Sequence, residues 1–238
     1  MGGRVMTAYI KSNLQEIKEK MSKSAELVGK SLDDLTLIGI TKYATTEQIA
    51  ELYRLGVTNI GENKVQDALP KIEELEDLEI NWHFVGHLQS NKVKYLINHI
   101  SLYQALDRTS LAKELHKRAD KNNVNVNALV QINIAGDENK FGLSQEETEH
   151  FIEKVLNNYP RINIKGLMTM PPYFSEPEQV RPYYSRMREL FELFKTKFGE
   201  QHFQYLSMGM SHDYHIAIEE GANMVRVGRS LFTQREEG

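Results

Sequence analysis

Lys42 closes the apolar run Leu35-Thr-Leu-Ile-Gly-Ile-Thr-Lys42, and an amine at the end of a buried strand can act as a nucleophile. The run is nearly continuous in apolar residues, the pattern of a strand covered on both faces. Its last side chain therefore emerges at the rim of a sheet, where α/β enzymes keep their chemistry. Lost hydration there disfavours the ammonium, lowers its pKa and frees the amine to attack a carbonyl, as a Schiff base with an aldehyde requires. The same residue also reads as a solvated strand cap. Two loops near the C-terminus, Ser207-Met-Gly-Met-Ser211 and Gly228-Arg-Ser230, carry small residues that let backbone N–H groups approach an anion. Ser211 is placed as a helix N-cap whose hydroxyl could face a phosphate, and Gly228 and Arg229 could offer paired amides. Ordinary turns are the alternative. Arg226 is a permanent cation inside the apolar strand Met224-Val-Arg-Val-Gly228. Buried, it needs a partner, either a carboxylate in the core or an acceptor on a bound ligand such as a pyridine nitrogen.

Other constellations carry less. His83 with His87, or His212 with His215, could pair as metal ligands, but the first pair straddles a strand end and neither has an obvious third ligand nearby. Met168, Met170, Met208 and Met210 read as packing residues rather than ligands. Tyr43, Tyr173 and His83 are candidates for an acid or base acting opposite Lys42.

The elements that would position these residues alternate along the chain. Strand-like runs occur at Leu35 to Thr41, Val57 to Gly61, Trp82 to Val85, Ile100 to Gln104, Ala128 to Ile134, Ile162 to Met168, Phe203 to Leu206 and Met224 to Val227. Amphipathic stretches lie between them at Thr46 to Leu55, Lys64 to Leu75, Lys92 to Ile97, Ser110 to Ala119, Glu146 to Leu156, Pro177 to Phe198 and His212 to Glu219. Ile10 to Met21 adds an amphipathic helix before the first strand. Eight unbroken strand–helix units predict an α/β fold, a single (β/α)8 TIM barrel over residues 1–238 with an additional N-terminal helix. In such a barrel the residues after each strand share one face, and phosphates sit after the seventh and eighth strands.

The 238 residues are near the length of one such barrel. With 40% hydrophobic and 26% charged residues, no cysteine and no apolar run of ~20 residues, the sequence excludes disulfide scaffolds, thiolate metal sites and membrane-spanning helices. The opening residues lack the apolar core and cleavage site of a leader, so a cytoplasmic location is expected. A net charge of −4, spread along the chain, gives no platform for nucleic acid.

Longer words of sequence point to one family. Ile40-Thr-Lys42, Gly61-Glu-Asn-Lys-Val-Gln66, Trp82-His-Phe-Val-Gly-His-Leu-Gln-Ser-Asn-Lys92, Gln131-Ile-Asn-Ile134, Lys165-Gly-Leu-Met-Thr-Met170, Leu206-Ser-Met-Gly-Met-Ser211 and Met224-Val-Arg-Val-Gly228 closely resemble the pyridoxal-phosphate homeostasis proteins. These are single-barrel relatives of the alanine racemase N-terminal barrel, and the resemblance runs from the first strand to the C-terminus. It implies pyridoxal 5′-phosphate (PLP) held as an aldimine on Lys42, with Arg226 facing the pyridine nitrogen. It also implies phosphate contacts from Ser211 and from the amides near Met210, Gly228 and Arg229, with Asn63 lining the pocket. Family members often have Ser or Thr where Arg229 stands, so only its backbone role carries over. Phe232-Thr233 replaces a common Phe-Gly and puts the local turn in doubt. Alanine racemase completes its site with a second domain and a tyrosine from the partner subunit, for which this chain is expected to lack room. The function implied is buffering or delivery of PLP, to PLP-dependent apo-enzymes among others, by a monomer; the alternative is a small amino-acid racemase.

Overall fold

The computed structural model describes residues 8–234. Eight parallel strands close in sequence order: β1 (Thr36–Ile40), β2 (Asn59–Glu62), β3 (Asn81–Phe84), β4 (Leu102–Leu106), β5 (Val126–Gln131), β6 (Ile162–Met168), β7 (Tyr205–Ser207) and β8 (Met224–Val227), with β8 pairing back to β1. The (β/α)8 barrel expected from the alternating pattern is the fold observed. Around it lie α1 (Ala8–Leu27), α2 (Thr46–Arg54), α3 (Val65–Glu74), α4 (Val93–Leu96), α5 (Thr109–Asn122), α6 (Gln145–Asn158), α7 (Arg181–Phe198), α8 (Tyr214–Glu219) and α9 (Arg229–Phe232). None of the helices among the described residues is long and apolar enough to cross a membrane.

Strand alternation divides the core. Ile38, Leu102, Ala105, Leu129, Met168 and Met224 fill the barrel, while the opposite faces of the strands pack under the helices in a larger cluster. On β8 this puts Met224 and Arg226 inside and Val225 and Val227 outside. Helix starts follow local chemistry. Thr45 opens α2 with a capping box in which its Oγ1 accepts from Gln48 N (3.3 Å) and Gln48 Oε1 accepts from Thr45 N (2.9 Å).

The N-terminal helix extends beyond the stretch read from sequence, because Ile10, Leu14, Ile17, Met21 and Ala25 continue one buried stripe. From it, Asn13 Nδ2 donates to Leu231 O and Thr233 O (both 3.0 Å), tying α1 to the last described turn. Helix α9 was not legible in the sequence. Thr233 closes it by donating N (3.0 Å) and Oγ1 (2.8 Å) to Arg229 O, which settles the turn left in doubt by Phe232-Thr233.

Several boundaries differ from the expected ones. The fourth strand starts at Leu102 rather than Ile100, since Ser101 N is the first amide of that segment to reach β3, at Trp82 O (2.8 Å). The seventh is Tyr205–Ser207 rather than Phe203 to Leu206, because Phe203 turns into the aromatic cluster of Phe191, Phe194 and Phe198. The helix after β7 begins at Tyr214 rather than His212, because Asp213 Oδ1 captures Met210 N (2.7 Å) and holds the intervening residues in a turn.

Candidate functional site

A cavity of about 560 Å³ opens at the C-terminal end of the barrel, a size typical of small-molecule sites. Its lining includes Lys42, Asn63, Met210, Ser211, Arg226, Gly228 and Arg229, so every residue singled out for binding reaches one site. Tyr43, Tyr173 and His212 also line it.

Strand β1 ends at Ile40, two residues before Lys42, which lies in the turn that follows. Its side chain is exposed, with Nζ 4.9 Å from the centre of the Tyr43 ring. The dehydration expected of this amine is therefore a correction: burial by the protein does not supply it. What the fold supplies is a fixed origin for the side chain. Thr41, fully buried just before it, donates N to Gly61 O (3.0 Å) and Oγ1 to Glu62 Oε1 (2.6 Å), and its carbonyl accepts from Lys71 Nζ (2.7 Å). Lys71, on α3, also pairs with Glu62 at 2.8 Å. No sequence motif marks this cluster of Thr41, Glu62 and the partly buried Lys71. Its signal was Glu62, a carboxylate in a buried strand, which requires a cation nearby.

The two anion loops meet differently from expectation. Ser211 does not cap a helix. Its Oγ accepts from Gly228 N (3.2 Å) and Ser230 N (3.5 Å), which joins the loop after β7 to the loop after β8 and leaves its O–H available to a ligand. The Met210 amide, expected to face phosphate, is spent on Asp213. Arg229 starts α9, so its amide has no carbonyl behind it in the helix. At Gly228 an added Cβ would stand 3.1 Å from Ile40 O and 3.2 Å from Ile40 Cβ, so a side chain there would crowd the eighth loop against the end of β1. Likewise a Cβ on Gly86 would fall 2.1 Å from Asn63 O, which lets the third loop press Asn63 into place. Asn63 Oδ1 is buried without a partner, in a lining where a ligand donor could supply one.

Arg226 forms the floor, 3% exposed. Of the two partners expected for it, the carboxylate is not found among the described residues, and its protein contacts are neutral oxygens. Nη1 donates to Ser207 Oγ (2.6 Å) and Nη2 to Thr169 O (2.7 Å). Burial pushes the guanidinium down to about 10, partly opposed by Tyr184 and Asp213, so it stays charged at neutral pH. Its remaining N–H groups can serve a ligand acceptor.

His83 is a correction as a candidate base. It does not line the cavity but lies beneath it inside the barrel, bonded through Nδ1 to Gln104 Nε2 (3.0 Å) and through Nε2 to Asn59 Oδ1 (3.2 Å). His87 instead stacks on Phe141 at 4.0 Å, so the two rings do not converge on an ion, and no group of three metal-ligating side chains occurs among the described residues. Burial pushes His83 down to about 4 from 6.5. Between those pH values the unfolded chain binds the proton and the folded chain does not, so stability falls as pH drops. The full effect is roughly 3 kcal/mol at about 1.36 kcal/mol per pH unit. A His83→Gln variant is expected to lose this part of the slope in urea midpoints measured from pH 6.5 to 4; an unchanged slope would place a different group behind the acid sensitivity.

Comparison with known proteins agrees with this geometry. Residues 5–236 match the family described as alanine racemase, N-terminal domain. A pyridoxal phosphate homeostasis protein of Aquifex aeolicus is 43% identical over 223 residues, covering 94% of this chain and 97% of that protein. A crystal structure of an unknown protein from Bifidobacterium adolescentis superposes with a TM-score of 0.90 at 26% identity, over 96% of both chains. PipY of Synechococcus elongatus, solved with PLP bound, superposes at 0.78 with 27% identity, over 90% of this chain and 100% of PipY.

Proposed function

Since this chain belongs to the alanine racemase N-terminal domain family and to the pyridoxal phosphate homeostasis proteins within it, we propose that it binds PLP and buffers or delivers the cofactor as a monomeric barrel. The observation that carries this reading is the convergence of Lys42, Arg226 and the Ser211–Gly228 junction on one cavity. An amine, a donor-only cation and an anion cup answer the aldehyde, ring nitrogen and phosphate of one molecule. Ser211 O–H and the Arg229 amide would take phosphate oxygens, and the orphaned Asn63 Oδ1 a donor on the ligand or its water. Lys42 Nζ, exposed next to the buried Thr41, would condense with the aldehyde with loss of one water and exchange again on release. The cofactor's own contribution, when bound, is a reactive carbonyl conjugated to an electron-withdrawing ring.

Delivery rather than turnover is favoured by what surrounds the amine. A charged guanidinium opposite the ring nitrogen disfavours its protonation and weakens the ring as an electron sink. Tyr43 and Tyr173, the phenols of the lining, are 89% and 71% exposed, so neither is packed into the protein as a positioned base would be. The test is to incubate PLP-loaded protein with L-alanine in deuterated water and with a PLP-dependent apo-enzyme. Reactivation of the apo-enzyme without catalytic α-deuterium exchange is the expected result. Exchange or racemisation with turnover, abolished by Lys42→Ala, would instead establish the racemase; failure of borohydride to fix a pyridoxyl group on Lys42 would remove the assignment of the amine.

A further inference from the structure

Beneath the cavity, one line of side-chain hydrogen bonds crosses the inside of the barrel. It runs from Arg226 on β8 to Ser207 on β7 (2.6 Å), across to Gln104 on β4 (2.7 Å), then to His83 on β3 (3.0 Å) and Asn59 on β2 (3.2 Å). Ser207, Gln104, His83 and Arg226 are all buried, so water does not compete for these groups.

The order of donors is dictated from one end. A guanidinium can only donate, so Ser207 Oγ accepts from Arg226 and its own proton goes on to Gln104 Oε1. The amide then has only Nε2 to show to His83, which must accept at Nδ1 and carry its proton on Nε2. Asn59 receives that proton on Oδ1. Every bond points the same way, and each polarises the next. Read from the other end, Gln104 Oε1 takes the Ser207 proton and so turns the hydroxyl's lone pairs toward Nη1; with Thr169 O on Nη2, this sets the direction in which the guanidinium presents its remaining N–H groups.

We propose that Ser207, Gln104 and His83 are positioning residues for Arg226, a unidirectional relay that aims its guanidinium at the ring nitrogen of the bound cofactor. The relay rests on the PLP reading above and assigns to three residues, none of them in the cavity lining, a part in recognising one atom of the ligand.

Two measurements separate this role from simple packing. In the ligand-free protein, long-range proton–nitrogen correlation spectra should show His83 as a single Nε2–H tautomer. In Ser207→Ala, where Gln104 is freed from the arginine end, a mixture should appear. In binding experiments, Ser207→Ala and His83→Leu should each weaken PLP roughly tenfold, the scale of one impaired hydrogen bond to a charged group. Binding of a carbocyclic analogue with C–H in place of the ring nitrogen should change by less than about twofold in both variants, since no ring acceptor is there to be lost. Equal losses for PLP and the carbocycle, no loss for either, or a mixed tautomer in the parent protein would overturn the relay while leaving PLP binding intact. Should His83→Leu not fold, Ser207→Ala decides alone. Failure of the parent protein to bind PLP would instead remove the proposed function.

Discussion

A Lys71→Met variant is expected to unfold about 3–5 kcal/mol more easily than the parent, the scale for removing one partner of a buried ion pair. The Glu62 side chain is fully buried and that of Lys71 only 14% exposed, so the carboxylate left behind would sit in the interior without its cation. Thr41 Oγ1 remains as one donor to Glu62 Oε1, while Oε2 already lacks a partner. Adding Glu62→Gln should recover much of the loss, because a neutral amide carries a smaller desolvation cost than an unpaired carboxylate. Urea denaturation of the parent, both single variants and the double variant reads the coupling directly. A cost below about 1 kcal/mol for Lys71→Met would show that the pair behaves as an exposed one. The site should feel the same change. Thr41 O loses its Lys71 donor, so the turn carrying Lys42 loosens and borohydride capture of PLP should slow in the single variant while the rest of the cavity is unaltered.

The parts legible in sequence were those written as local pattern. Alternating apolar runs and amphipathic helices gave the barrel, and strand-end positions placed Lys42, Asn63, Ser211 and Gly228 on one rim before any contact was known. Arg226 stood out because a cation in an apolar strand violates the burial rule. What stayed hidden depends on which atoms meet across distant segments. Ser211 looked like a helix cap because a serine before a helix usually is one, yet Asp213 takes the nearby amide and leaves Ser211 to bridge the next loop. His83 looked like a base near a strand end, but strand parity turns it into the barrel, where Gln104 sits 21 positions away in sequence. Exposure of Lys42 was equally unreadable, since the run that precedes it is apolar while the residue itself lies beyond the last strand hydrogen bond, at Thr41.

Replacing Gly228 by valine is expected to weaken PLP roughly 10- to 100-fold while unphosphorylated pyridoxal changes by no more than about threefold, the difference amounting to one charge-assisted hydrogen bond. The cause is geometric. A first side-chain carbon would already stand 3.1 Å from Ile40 O and 3.2 Å from Ile40 Cβ, and the two valine methyls add bulk to that tight contact. Relief requires the loop to move off β1, which stretches the 3.2 Å bond from Gly228 N to Ser211 Oγ and parts the two halves of the anion cup. Pyridoxal makes no use of that cup. Its aldehyde and ring would still meet Lys42 and Arg226, so its binding reports whether the rest of the cavity survives. Competition titrations with the two ligands, run beside Gly228→Ala as a milder step, test the argument; alanine should fall between parent and valine. Parallel losses for both ligands would mean that the substitution damages the whole site and that the phosphate is held elsewhere on the rim.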